Sequence, residues 1–411
     1  MMEPKIRFKG FEGGWKDTIW GNHIVSTHTG TNLLGEVSNK GIPLLKMGNI
    51  QRGFFDLDKM EYLAANQNPP VNCIANYGDF FYNTRNTLEL VGKGATWMKI
   101  DGIYAFNSNI AICKLDGIDT FFFNYLYNTL RSIKQVQARA KGTTSVAAVY
   151  MRDLKSIELA LPHISEQQAI ASYFTTLDSQ ISASTSRLAS LKQMKAASLQ
   201  AMFPQEGETV PKIRFKGVEG EWKKVKLNSF AKRVTRKNSH LESTLALTIA
   251  SAHGLVSQID YFNNLVVGSN IRNYYLLKKG EFAYNKSYSN GYPFGSVKRL
   301  ERYEQGILST LYITFSIDNS ISSDYLTHFF DTNLWHKEVA ERAAEGARNH
   351  GLLNIGANDF LDINIWKPES KSEQQAIASY FTSLDRQISL QSQRLEKLKQ
   401  IKSACLDKMF V

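Results

Sequence analysis

The 411-residue sequence predicts an α+β protein: two homologous mixed α/β modules in a tandem pseudo-two-fold arrangement, separated by two long antiparallel coiled-coil helices. Three observations carry this reading. They are an internal repeat spanning the chain, two unusually long amphipathic stripes, and short β-rich runs between them. The expected boundaries are 1–162 for the first module, 163–204 for the first long helix, 205–370 for a linker and the second module, and 371–411 for the second long helix.

The repeat is direct. Pro4 to Lys16 (PKIRFKGFEGGWK) and Pro211 to Lys223 (PKIRFKGVEGEWK) agree at 11 of 13 positions, offset by 207. At the same offset, Ser165 to Phe203 and Ser372 to Phe410 agree at 26 of 39. Between these segments the halves diverge, keeping landmarks such as Gly78-Asp79-Phe80 beside Gly280-Glu281-Phe282. A common frame with different contents suggests two modules that each recognise something different.

The shared C-terminal segments are the long helices. Ile170, Phe174, Leu177, Ile181, Leu188 and Leu191 follow steps of four and three with a gap near Ser184. Ile377, Phe381, Leu384, Ile388, Leu395 and Leu398 repeat the stripe with a gap at Gln391. Ser165 with Gln168, and Ser372 with Gln375, read as capping boxes. A helix of about 38 residues is roughly 57 Å long and needs an apolar partner. The economical partner is the other copy; the competing arrangement packs each stripe on its own module.

The blocks 20–162 and 227–368 contain β-rich runs at Ile42–Leu45, Asn109–Leu115, Leu308–Phe315 and Leu361–Trp366. Helical candidates lie near Phe122–Gln137 and Tyr325–Ala343. Gln205 to Val210, between Pro204 and Pro211, reads as a linker.

Composition excludes several classes. Hydrophobic residues at 43% and charged residues at 21% describe an ordinary globular chain. No apolar run approaches the ~20 residues that cross a bilayer. Lys5, Arg7 and Lys9 are followed by polar, Gly-rich sequence, not the apolar core of a secretory signal, so a cytoplasmic location is expected. Cys73, Cys113 and Cys405 are dispersed and read as core or incidental thiols, with no metal site expected. The net charge of +11 divides as +4 over 1–162, −1 over 163–210, +6 over 211–368 and +2 over 369–411. The excess sits on the two modules, as a polyanionic partner would require.

Catalytic signatures are missing. Asn68-Pro69-Pro70-Val71 resembles the Asn-Pro-Pro-aromatic motif of amino-methyltransferases, but Val71 stands where an aromatic ring would stack on a flipped base. Gly92-Lys93-Gly94 lacks the third glycine of a dinucleotide fingerprint, and there is no Walker A, HExxH or GxSxG sequence. The tetrapeptide reads as a turn and the chain as a recogniser without catalytic residues.

These residues resemble the specificity subunits of type I restriction-modification systems. The resemblance rests on Leu161 to Ile170 (LPHISEQQAI), Ser372 to Ile377, the twin Trp15-Lys16 and Trp222-Lys223 entries, and the Gly-Asp/Glu-Phe landmarks. One departure precedes the second helix, where Trp366 to Lys371 (WKPESK) carries an extra residue. The resemblance implies two target-recognition domains, each reading one half of a bipartite asymmetric site in double-stranded DNA. It also implies helices that set the spacing and dock two modification subunits. Those subunits would bring S-adenosylmethionine and methylate adenine, restriction/translocase subunits would join for cleavage, and this chain would bind no cofactor.

Base edges are read by Arg, Lys, Asn and Gln, while Lys, Arg, Ser, Thr and Tyr hold phosphates. Loops rich in both give the expected DNA contacts. In the first module these are Lys46, Asn49, Gln51, Arg52, Asn83, Thr84, Arg85, Lys141, Thr143 and Thr144. In the second they are Lys232, Arg233, Arg236, Lys237, Lys286, Ser287, Tyr288, Arg348, Asn349 and His350. Two other readings compete: a scaffold joining protein partners through the coiled coil, and a self-contained adenine methyltransferase using Asn68.

Overall fold

The computed structural model describes residues 3–37, 40–143, 145–250, 254–262, 270–287, 291–343 and 353–411. The chain divides into two compact units, Met1–Ser186 with Gln393–Val411, and Arg187–Ser392. Each unit therefore contains a module and a part of each long helix.

In the first unit, Lys16–Ile19 pairs antiparallel with Glu158–Leu161, tying the module's start to the residues that enter the long helix. The central antiparallel sheet runs in the order Ile24–Thr29, Ile110–Leu115, Phe80–Asn83, Gly94–Thr96. Side chains alternate across a strand. Phe80 and Tyr82 enter a core with Trp15, Trp20 and Phe123, while Phe81 enters a separate core with Trp97, Phe106 and Ile112. Burial on both faces is why this strand reads as an unbroken apolar run. Gly94 is required here, since a Cβ would lie 2.6 Å from the Phe80 ring. A second sheet orders Gly35–Glu36, Glu61–Leu63, Pro43–Leu45 and Ala105–Phe106, the last pair parallel. Arg85–Asn86 closes a small sheet with Ala147–Ala148 and Lys141–Gly142.

The helix expected near Phe122–Gln137 is two helices. Asp119 caps Thr120–Tyr127 by accepting from the Phe122 amide at 2.8 Å. Thr129 then starts Leu130–Ala138, its hydroxyl accepting from Ser132. A side-chain cap inside an apolar run restarts the helix.

In the second unit, Lys223–Lys226 pairs with Asn364–Lys367, and the main sheet orders Ala231–Arg233, Ile313–Ile317, Phe282–Asn285 and Ser296–Arg299. Two further hairpins are Leu247–Ala250 with Gly254–Ser257, and Tyr275–Lys278 with Gln305–Leu308. The run expected at Leu308–Phe315 is thus two strands separated by Ser309 to Tyr312. Leu361 ends the helix Ala357–Leu361, and the final strand starts at Asn364. Ser323–Phe329 and His336–Arg342 replace the single helix expected near Tyr325–Ala343.

The long helices span Ile164–Ala201 and Lys371–Met409. Their starts differ from the expected capping boxes. His163 accepts the first amides through its carbonyl, with Ser165 inside the first turn. At the second start the Ser370 hydroxyl accepts from the Glu373 amide. Gln167 and Gln374 brace the entries instead, donating to the Pro162 and Pro368 carbonyls and accepting from the Asp119 and Ser322 amides. The extra residue of the second copy is absorbed between Pro368 and Gln374.

Each unit repeats one set of contacts around these helices. Arg7 makes a bidentate pair with buried Glu166 in the first, and Arg214 with buried Glu373 in the second. Tyr173 Oη lies 3.4 Å from Cys405 Sγ, and Lys402 pairs with Asp178 at 2.5 Å. In the second unit Tyr380 Oη lies 2.9 Å from Ser198 Oγ, and Lys195 pairs with Asp385 at 2.8 Å. Rising numbers on one helix meet falling numbers on the other, so within each unit the two helix segments run antiparallel.

Ile170, Phe174 and Leu177 are buried, as are Leu191, Ile377, Phe381, Leu384 and Leu395. Ile181, Leu188, Ile388 and Leu398 are half-buried. Phe174 and Phe381 pack deep in the module cores, against Tyr125 and Phe203 respectively. The first turns of each stripe are therefore module core as well as helix seam. Gln205 to Val210 is braced within the second unit, where Lys337 pairs with Glu206.

Candidate nucleic-acid interface

The cations expected to meet DNA in the first unit are mostly engaged internally. Lys46 pairs with Glu61 at 2.5 Å and Lys141 with Asp153 at 3.1 Å. Gln51 donates to the Gly48 carbonyl and accepts from Lys93 at 2.6 Å. Arg52 donates to the Glu89 carbonyl, and burial lowers its pKa from the usual arginine value. Thr143 bonds the Val146 amide and Ser145 across its own turn, and Thr144 lies outside the described residues.

Two expected contacts are corrected. Asn49 is buried, accepting from the Lys46 amide and donating to the carbonyls of Asp56 and Lys59. Asn83 is fully buried and donates to the Met47 carbonyl. Their amides hold the loop together and offer no edge to a ligand.

Arg85 differs. It is exposed, and among the described residues its side chain makes no hydrogen bond or ion pair. It lines a cleft of about 580 Å³ together with Thr84, Thr27, His28, Asn109 and Tyr150. Thr27 donates to the Ile112 carbonyl and His28 bonds the Asn72 carbonyl, so those walls are fixed. Burial pushes the neighbouring Tyr82 phenol up to about 12, leaving it neutral. His28, Asn109 and Tyr150 were not among the sequence-based candidates; the polar run Asn107-Ser108-Asn109 before a strand was the available signal. Another cleft, of about 600 Å³, carries Asp17 and Glu158 beside Arg131. Its carboxylates oppose a polyanion.

In the second unit, Lys232 and Arg233 are exposed at a strand end, and Arg233 donates to Tyr275 Oη at 3.4 Å. Lys237 sits 4.4 Å from the centroid of the same ring and donates to the Asn273 carbonyl. Tyr275 thus gathers two cations on one surface. Arg236 is corrected: one terminal nitrogen donates to both Glu281 carboxylate oxygens, at 2.7 and 2.9 Å, which ties it to the residue just before the strand Phe282–Asn285. Lys286 reaches toward the Ile355 carbonyl at 3.5 Å, and the Ser287 amide bonds Asn285 Oδ1. Tyr288, Arg348, Asn349 and His350 lie outside the described residues.

Among the described residues, one acid and histidine group has metal-like proximity: His328, Asp331 and Asp385. Lys195 and Lys298 already contact its carboxylates at 2.8 to 3.0 Å. A divalent ion would have to displace them, so the donor set fits an ion-pair network better than a metal. Val71 of the Asn-Pro-Pro sequence is 89% exposed and starts a single 3-10 turn. Cys73 and Cys113 are buried, with burial pushing the Cys113 thiol up to about 12. No helix among the described residues is long and apolar enough to cross a membrane.

Residues 35–193 match the family described as Type I restriction modification DNA specificity domain. No curated protein matches the sequence. Among solved structures, the S subunit of a type I restriction-modification system from M. genitalium is similar, with 14% identity and a TM-score of 0.65. That match covers 100% of this chain and 99% of the other. A chain of a type I R-M system is 14% identical with a TM-score of 0.48, over 97% of this chain and 98% of that one. The HsdS subunit from Thermoanaerobacter tengcongensis is 14% identical with a TM-score of 0.42, over 97% of each. The first of these likenesses shows a shared fold.

Proposed function

We propose that this chain is a DNA specificity subunit of the type I restriction-modification kind, without catalysis of its own, and that it reads a bipartite site in double-stranded DNA. The match of residues 35–193 to the family described as Type I restriction modification DNA specificity domain supports this. Each module reads one half of an asymmetric sequence. The paired long helices act as a coiled-coil spacer that fixes the separation of the half-sites and docks two modification subunits. Those subunits bring S-adenosylmethionine and methylate adenine, restriction/translocase subunits join for cleavage, and the assembly works in the cytoplasm on host DNA.

One observation carries this reading. The Arg–Glu, Tyr–Ser/Cys and Asp–Lys contacts are built twice around modules whose exposed side chains differ. A frame kept twice with unlike surfaces is what two separate specificities on one spacer require. The family match spans residues 35–193, most of the first module and of the first long helix, and the sequence repeat supports carrying the proposal to the second module.

Sequencing of modified adenines in host DNA, with and without the gene, tests the proposal. A split, asymmetric adenine-methylated motif is expected to vanish on deletion. A set of adenine marks unchanged by deletion would refute it.

A further inference from the structure

The cleft beside Arg85 carries more than a positive charge. Asn109 lies directly across the strand pair. The Thr84 amide and hydroxyl both donate to the Asn109 carbonyl, at 3.0 and 2.9 Å, and the Thr84 carbonyl accepts from the Val149 amide at 2.9 Å. Next along the chain, Arg85 is paired with Ala148 in the small sheet. Asn109 is held from its own side, its amide donating to Asn107 Oδ1 at 3.2 Å.

These backbones are pinned, while the side-chain ends are not. Among the described residues neither the Arg85 guanidinium nor the Asn109 carboxamide makes a hydrogen bond, in a cleft whose other polar groups are largely bonded to backbone carbonyls. Free donor and acceptor edges on a rigid frame are what base readout needs. Arginine is matched in two bonds to the O6 and N7 of guanine, and asparagine to the N6 and N7 of adenine. A carboxamide offers a donor and an acceptor side by side, whereas a phosphate only accepts. The major groove also admits a two-stranded ribbon of this kind.

We infer that Arg85 and Asn109 are the base-reading pair of the first module, Arg85 taking a guanine and Asn109 an adenine at a neighbouring step. This rests on the DNA-reading assignment above. Thr84 is a positioning residue, setting the distance between them. The second module supports a separate specificity. Tyr82 pairs with Ala111, and Tyr284 with Ile313, so strand register places Ser287 and Leu311 where the first module has Arg85 and Asn109. The same frame there presents a hydroxyl and an exposed leucine.

The test uses the tagged full chain, purified from its host with its associated subunits, incubated with a randomised DNA duplex pool, and the bound fraction sequenced. The wild type is expected to enrich a split motif containing a guanine and a nearby adenine in one half. Arg85→Ala should reduce discrimination at the guanine alone by on the order of 10- to 100-fold. Asn109→Ala should do the same at the adenine. Arg85→Lys keeps the charge but loses the two-bond geometry, and should retain total DNA binding while discriminating poorly. If Arg85→Ala instead weakens all sequences equally and Arg85→Lys restores binding, Arg85 holds a phosphate. The base assignment then fails while the DNA-reading function stands. If the wild type enriches no motif, both fail.

Discussion

Replacing Asp331 by alanine is expected to destabilise the second unit by about 3–5 kcal/mol, the range for breaking a buried ion pair on one side. Asp331 is 16% exposed and lies between Lys195 and Lys298, at 2.8 and 3.0 Å. Its loss leaves Lys298 without a carboxylate and Lys195 with only the more exposed Asp385. Burial is the largest single influence on the Asp331 carboxyl and favours the neutral form. It is outweighed by His328 and the two ammonium groups, so the pKa lies well below the ordinary range. His328 Nδ1 is 3.9 Å away and makes no hydrogen bond, so the lysines carry most of that effect.

The pH dependence follows. A carboxyl whose folded pKa is below its unfolded value of about 4 stabilises fully above that pH. The contribution is lost as pH falls toward the folded value. Hydrogen exchange across residues 187–392 should therefore show a steeper acid loss of protection in the wild type than in Asp331→Asn. Parallel acid profiles would contradict this role.

Phe203→Ala is expected to cost the second unit a similar amount, about 3–5 kcal/mol, because a full-size ring leaves a cavity in a packed core. Phe203 ends the shared helical repeat and is wholly buried, with ring centroids 5.7 Å from Trp222, 5.8 Å from Tyr325 and 6.1 Å from Phe381. Its repeat-mate Phe410 packs on Trp15, Phe122 and Phe174 in the first unit but is only half-buried. Phe410→Ala should accordingly cost less. Exchange protection is expected to fall within 187–392 for Phe203→Ala and within the first unit for Phe410→Ala. Loss spread evenly over both units by either change would contradict the two-unit organisation.

The frame was legible in the sequence because it is written twice. Phe174 and Phe381, or Arg7 and Arg214, recur at one offset with their partners, so the repeat reveals a contact set before any coordinate does. Helix starts were less legible. Ser165 and Gln168 match a capping pattern, but the chain turns earlier, at His163, where the carbonyl already accepts the first helical amides.

The recognition surface was least legible, because a side chain's availability is settled by distant partners. Asn83 is drawn inward by Met47, 36 positions away, and Arg236 by Glu281, 45 away. By composition each resembles Arg85, which has no such partner. Asn109 joins Arg85 only through strand pairing across the sheet. Residue type nominates candidates, and long-range pairing decides which remain free.

The most direct measurement replaces residues 20–162 with the corresponding block of another chain of this architecture, then sequences the modified adenines of the host. The account predicts a new split motif in which one half changes and the other half and the spacing persist. A motif altered in both halves, or one left unchanged, would contradict two independent readers on a common frame.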